Sequence, residues 1–177
     1  MDESDRRRWQ NPEAILAEIG LKPGYTFIDV GCGNGFFALP AARLVGEKGK
    51  VYGLDANAEA IGMFKKTAMK KGLRNLNLRV GMAEETVLCD ACADIVFFGI
   101  VLHDFKDATR VLSNARRMLK STGKLVDLDW KKEPMKFGPP LQIRFSEEKA
   151  VSLIEAAGFK INSVKDAGTY HYLIVAH

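Results

Sequence analysis

The stretch "FIDVGCGNGFF", residues 27–37, sets an acid, Asp29, near the end of an apolar run and then removes the side chain at Gly31, Gly33 and Gly35. An apolar strand that breaks into a glycine-rich turn and reopens as a helix is the local signature of a parallel α/β sheet. A strand ending at Val30 and a helix starting near Gly35 point backbone amides and a helix N-terminus into the crevice above the strand ends. Glycine lets a partner touch main chain where a Cβ would collide, so a ligand is expected at this turn.

The pattern repeats outward from there. Strand-like runs "YTFIDV", "KVYGLD", "LNLRV", "ADIVFFGIVL", "KLVDLDW", "FKINSV" and "TYHYLIVAH" alternate with segments of helical period. The run at 95–102 is continuously apolar, as a central strand buried on both faces should be. The helices carry their own punctuation. Asn11 caps the first with Pro12 at its first position and Gly20 after it. Asn57 caps the third, which buries Ile61, Phe64 and Ala68 and ends at Gly72. Ser146 caps the last, with Glu147 and Glu148 in its first turn. Ala108, Val111, Leu112, Ala115 and Leu119 form one stripe on the helix before strand five. The two last strands, joined around Gly168, are predicted as an antiparallel pair. The expected fold is α/β, a Rossmann-like doubly wound, mostly parallel seven-stranded sheet with an antiparallel last strand and helices on both faces.

Composition bounds the rest. A chain of 177 residues, 47% hydrophobic, suits one domain with a full core. The uncharged run Ile95–Leu102 is far shorter than the ~20 residues of a membrane span, and the charged start "MDESDRRRWQN" lacks a signal-peptide core. A cytoplasmic protein without a membrane partner is expected. The net charge of +4 and pI near 8.9 are spread over helix faces, a balance that permits nucleic acid without favouring it. Cys32, Cys89 and Cys92 are an odd number in a chain that needs no staples, so no disulfide framework is expected. Cys89 and Cys92 offer at most two metal ligands, and no metal site is expected.

Two ligand classes use such a turn. A pyrophosphate prefers G-x-G-x-x-G, whereas Phe36 stands at the last glycine position and Asp29 brings the wrong sign, which argues against a nicotinamide oxidoreductase. A cofactor that bears an amino acid and a cationic centre turns Asp29 into an asset.

Here the residues resemble the class I S-adenosylmethionine-dependent methyltransferases, and within them the small ubiquinone-biosynthesis-like (type 11) group. "FIDVGCGNG" is similar to the family's first motif, and "VYGLD" to the segment whose acid binds the ribose. "GMAEE" resembles the adenine-contacting segment, and "DIVFFGIVLHDF" with "RRMLKSTGKLV" the segments around strands four and five. The likeness runs from about Trp9 to the C-terminus. It implies a single methyltransferase domain over 1–177, with 1–10 an arm in which Arg8 and Trp9 close over the cofactor. It also implies S-adenosylmethionine as cofactor and S-adenosylhomocysteine as product. Asp29, Gly31, Cys32 and Gly33 then contact the methionine part, Asp55 and Ala56 the ribose, Ala83 and Glu84 the adenine, and the Gly99 carbonyl the methionyl amine. The family often has an acid where this chain has Met82. The bland alternative for Asp29 and Asp55 is helix capping.

Methyl transfer from a sulfonium asks mainly for in-line alignment, with a general base only where the acceptor must lose a proton. His103, oriented by Asp104, is the first choice of base, unless Asp104 instead caps the following helix. His171 is a weaker catalytic choice, because in a strand it and Tyr170 point to opposite faces. Trp130, Arg144 and Tyr170 are expected to line the acceptor, with Arg144 either binding an anion or anchoring its loop. No "NPPY"-like segment and no nucleic-acid module is present, so a small-molecule acceptor is favoured over RNA or protein. A cofactor-binding protein without turnover, a sensor or assembly partner, is the reading from another class. The sequence says nothing of the oligomeric state.

Overall fold

The computed structural model describes residues 6, 7 and 9–177. Its elements are α1 (Pro12–Glu18), β1 (Thr26–Val30), α2 (Ala38–Val45), β2 (Lys50–Asp55), α3 (Ala58–Lys70), β3 (Leu76–Val80) and β4 (Ala93–Gly99). A 3-10 turn (Leu102–Asp104), α4 (Ala108–Met118), β5 (Leu119–Trp130), α5 (Glu147–Ala156), β6 (Ile161–Ala167) and β7 (His171–Ala176) follow. The seven strands form one sheet in the order β3-β2-β1-β4-β5-β7-β6. All neighbours pair in parallel except those of β7, which runs antiparallel to both β5 and β6. That is the expected sheet, with its reversed strand inserted one place from the edge.

Alternation along the strands splits the core in two. Phe27, Val51, Ile95, Phe97, Val126 and Leu173 face α1, α2 and α3, while Ile28, Val30, Val96, Phe98, Leu125 and Ile174 face α4 and α5. β4 lies between β1 and β5, and residues 95–98 are fully buried. Burial of each such side chain contributes about 1.5–3 kcal/mol. The caps act as read: Asn11 accepts from the Ala14 amide, Asn57 from Glu59 and Ala60, and Ser146 from Lys149.

Four local expectations are corrected. β4 stops at Gly99 instead of running to Leu102, because Ile100 adopts a positive φ of 65° and turns the chain into the 3-10 segment. That conformation is strained for a β-branched residue, and it occurs at the strand end where ligands of this fold bind. α2 begins at Ala38, three residues after Gly35. α4 ends at Met118, which is 2% exposed, while Leu119 opens β5 opposite Ala93 and the ladder resumes only at Ile95 and Lys124. Finally, Cys89 and Cys92 are joined in a disulfide that closes a short loop before β4, leaving Cys32 as the free cysteine. Among the described residues no helix is long and apolar enough to cross a membrane.

Candidate active site

The strand order reverses between β1 and β4, and two adjoining cavities of about 230 and 470 Å³ open there, above the strand ends. They share Gly31, Val101 and Asp104 as a common rim. The smaller is walled by Asp55, Ala56, Met82, Ala83, Glu84 and Phe105. The larger takes in Asp29, Cys32, Gly33, Gly99, Trp130 and the N-terminal segment through Arg6 and Trp9. All nine residues read for the cofactor therefore border one or other of these adjoining cavities.

The three glycines turn out to serve different neighbours. A Cβ at Gly31, whose φ is +74°, would lie 2.5 Å from a Val101 methyl, and one at Gly35 would lie 2.7 Å from the Phe64 ring of α3. Those two are demanded by the protein's own packing, and only the space over Gly33 is open. The amides also differ from expectation. Gly31 and Cys32 donate to the Leu54 carbonyl at 2.7 and 3.0 Å, and Gly33 donates to Asp55 Oδ2 at 2.7 Å. With these amides engaged and Asp29 beside them, the turn is no pyrophosphate cradle.

The acids suit the other ligand class. Asp29 is 2% exposed, and its Oδ2 has no hydrogen-bond partner among the described residues. Burial pushes its carboxyl up to about 7, against the pull of Arg6 and of the Ala38 amide, with Asp55 adding to the rise. A buried acid missing a partner is what an ammonium or a sulfonium would complete. Asp55 accepts from Gly33 and, through Oδ1 at 2.8 Å, from the Asn57 amide, which aims the carboxylate into the smaller cavity with acceptor capacity remaining. Glu84 Oε2 is likewise buried without a partner and matches an exocyclic amine of a base. Asn114 on α4, which sequence reasoning missed, holds the carbonyls of Ala83 and Glu84 at 2.9 and 3.0 Å and so fixes that segment. Cys32 borders the larger cavity, yet its sulfur packs toward Gly53 and burial pushes the thiol upward, so it is inert.

The proton-handling group is larger than the sequence suggested. His103 Nδ1 lies 2.8 Å from both oxygens of Asp129, and its Nε2 lies 3.3 Å from Asp104 Oδ1. The orienting partner is thus Asp129 on β5, which was missed, while Asp104 sits on the cavity side and more than half of its side chain is exposed. Asp104 does not cap α4 either, since Asp107 accepts from the Arg110 amide there. Burial alone lowers the His103 imidazole, but the hydrogen bond and charge of Asp129, helped by Asp104, outweigh it and hold the ring above the usual histidine value. One turn of the pleat away on the same strand, Asp127 is fully buried with neither oxygen bonded, and burial followed by the charge of Asp129 raises its carboxyl well above the usual value.

The remaining predicted residues gather into an aromatic wall. The Trp9 ring lies 5.4 Å from Trp130, 5.2 Å from Phe137, 6.1 Å from Tyr170 and 5.6 Å from His171, on which it stacks nearly parallel. Tyr170 precedes β7, so strand alternation does not separate it from His171 and both reach the same cluster. His171 is not placed to act as a base: it is 1% exposed, its Nε2 accepts from Gln10 Nε2 at 2.9 Å, and burial with the charges of Arg6, Arg144 and Lys131 pushes it down to about 3. Arg144 anchors its loop. Its guanidinium donates to the carbonyls of Lys131, Glu133, Phe137 and Pro139 and lies 5.4 Å over Trp130, which leaves little for an anionic substrate. Arg8 lies outside the described residues.

Known proteins match this arrangement. The family described as "Methyltransferase domain" matches residues 21–157. A solved SAM-dependent methyltransferase from Aquifex aeolicus is 32% identical, with a TM-score of 0.92 over 99% of this chain and 98% of its own. Demethylmenaquinone methyltransferases from Geobacillus kaustophilus and Bacillus mycoides are 30% and 33% identical over 76% and 70% of this chain, corresponding to 57% and 51% of theirs. The chain thus spans about half the length of the curated relatives it matches. From fold, crevice and likeness together, the chain belongs to the S-adenosylmethionine-dependent methyltransferases.

Proposed function

We propose that this protein transfers the methyl group of S-adenosylmethionine to a small planar acceptor whose attacking atom gives up a proton during the transfer. The observation that carries this reading is the line Asp129, His103, Asp104, which starts from buried Asp129 and His103 and reaches the rim shared by the two cavities at Asp104, with Trp9 and Trp130 lining the larger cavity. Bound in the crevice, the cofactor supplies a methyl on a cationic sulfur, and the bond to sulfur breaks as the bond to the acceptor forms.

The chain's own residues do the rest. Asp29 holds the amino-acid half of the cofactor and Asp55 its ribose, on either side of the sulfur, so that the methyl is presented along one line. Asp129 accepts from Nδ1–H and fixes the tautomer, which leaves Nε2 to take a proton relayed through Asp104. A flat ring lying against the wall that Trp9 and Trp130 form gains from offset stacking and excludes water from the methyl. Relatives named for demethylmenaquinone support an acceptor of quinone type.

The test is a mass-spectrometric screen of hydroquinones, naphthoquinols and catechols with S-adenosylmethionine and the purified chain. The expected result is a methylated product and S-adenosylhomocysteine in step, both lost on His103→Ala. Product formed on RNA or protein alone, or none on any planar acceptor despite cofactor binding, would overturn the acceptor class.

A further inference from the structure

We propose that the Cys89–Cys92 bond is a thiol–disulfide exchange site whose redox state sets the protein's grip on the adenine of its cofactor; the coupling to the cofactor rests on the methyltransferase reading. The bond spans a C-x-x-C motif with Asp90 and Ala91 between the cysteines. A cross-link stabilises a fold more the longer the loop it closes, and with a sequence separation of 3 this one constrains the unfolded chain little. Its position suits exchange instead of stapling. Both cysteines are half-buried while Asp90 and Ala91 are exposed, so an incoming thiolate reaches the sulfurs from solvent.

The exchange balances with a dithiol as reductant. One of its thiolates attacks a sulfur of the Cys89–Cys92 bond, and the other sulfur leaves as a thiolate and takes up a proton. The second thiol of the reductant then displaces the remaining cysteine from the mixed disulfide. Two electrons and two protons pass to the protein, which ends with two thiols, and the reductant ends as a disulfide.

One face of α4 ties this bond to the cofactor site. Arg110, Asn114 and Met118 follow at intervals of four and form a single stripe. Arg110 Nε donates to the Glu84 carbonyl at 3.3 Å, and Asn114 holds the carbonyls of Ala83 and Glu84 in the wall of the smaller cavity. At the far end of the stripe the Leu88 amide donates to Met118 Sδ at 3.3 Å and the Cys92 amide to the Met118 carbonyl at 3.0 Å. There the Ala91 amide also donates to the Arg117 carbonyl at 3.0 Å, and Arg117 pairs with Asp90. Residues 83–92 are thus pinned at both ends to one helix, and the disulfide loop organises the second end. Between the sulfurs Ala91 holds a φ of 45°, a left-handed conformation that a residue with a Cβ rarely adopts. With the bond closed, the segment is preorganised for the adenine. Reduction releases the turn at Ala91, and ligand binding must then order the segment.

The experiment equilibrates the folded chain with graded ratios of reduced and oxidised dithiothreitol, with and without saturating S-adenosylhomocysteine, and counts free thiols by N-ethylmaleimide labelling and mass spectrometry. Calorimetric titration with S-adenosylhomocysteine follows on both end states and on the Cys89→Ser, Cys92→Ser double variant. Labels are expected to appear together on Cys89 and Cys92, with buried Cys32 unreactive. The reduced chain should bind S-adenosylhomocysteine about tenfold more weakly than the oxidised one. By reciprocity the saturating ligand should make the midpoint potential about 30 mV more negative. The double variant should bind like the reduced wild type at every dithiothreitol ratio, and the reduced wild type supplies the same comparison without a substitution. Equal affinity of the two redox states, or a bond that resists dithiothreitol until the chain unfolds, would overturn the proposal while leaving the methyltransferase reading intact. Failure of both states to bind S-adenosylhomocysteine would instead sink that reading, and the proposed coupling with it.

Discussion

His103 Nδ1 stands 2.8 Å from each carboxylate oxygen of Asp129, a contact made 26 residues apart in sequence and fully inside the protein. The pair decides which ring nitrogen keeps its proton. The chain has three histidines, so three imidazole signals should resolve by NMR. His103 is expected to titrate above the ordinary value, and His171 to stay neutral down to about pH 3. In Asp129→Asn, burial is opposed only by the Asp104 charge and the His103 value should fall. Turnover should drop by about 10²- to 10⁴-fold while cofactor affinity holds.

Asp127 should behave in the opposite way. Its folded-state value is raised, so the stability that goes with it is complete below the unfolded carboxyl value and is lost as pH rises toward the folded one. Asp127→Asn removes a proton that folding must otherwise retain. Its melting temperature should exceed wild type at pH 7–8, and the two should converge near pH 4. A variant less stable than wild type at neutral pH would show that the carboxyl is ionised and partnered.

Asp29 gives the cofactor affinity a pH dependence. With its value at about 7, the free protein holds a proton there in mildly acid solution, and a cationic ligand must displace it. Affinity for S-adenosylhomocysteine should fall as pH drops below 7, toward about tenfold per unit, with one proton released per ligand bound. Titrations in buffers of different ionisation enthalpy count that proton directly. Asp29→Asn should bind weakly and lose the slope.

Gly33 and Gly35 separate ligand from packing. Gly35→Ala drives a Cβ to 2.7 Å from the Phe64 ring and should lower stability by about 1–3 kcal/mol. Gly33→Ala meets nothing in the protein and should cost only about 1–2 kcal/mol of left-handed backbone strain. The larger effect of Gly33→Ala should fall on cofactor affinity. Chemical denaturation and calorimetry on the same pair of variants test both halves.

Much of this was legible in the sequence because it is local. Asn11, Asn57 and Ser146 cap where they stand, and Asp29 and Asp55 mark the ends of neighbouring parallel strands whatever the details between them. What escaped depends on pairing across the sheet. Asp129 reads as one more residue of "KLVDLDW", and only the register of β4 with β5, Gly99 opposite Leu128, brings it under His103. The early end of β4 was hidden for a different reason. Leu102 in the 3-10 turn is as buried as the strand, so hydrophobicity gave no boundary there. Arg144 had two plausible uses, and the four carbonyls that converge on it come from a loop without periodicity.

The most direct test is calorimetric titration of the purified chain and its Asp29→Ala variant with S-adenosylmethionine, S-adenosylhomocysteine and NAD. The account predicts saturable binding of the first two, lost in the variant, and none of NAD. Binding of NAD alone, or of no ligand, would contradict it.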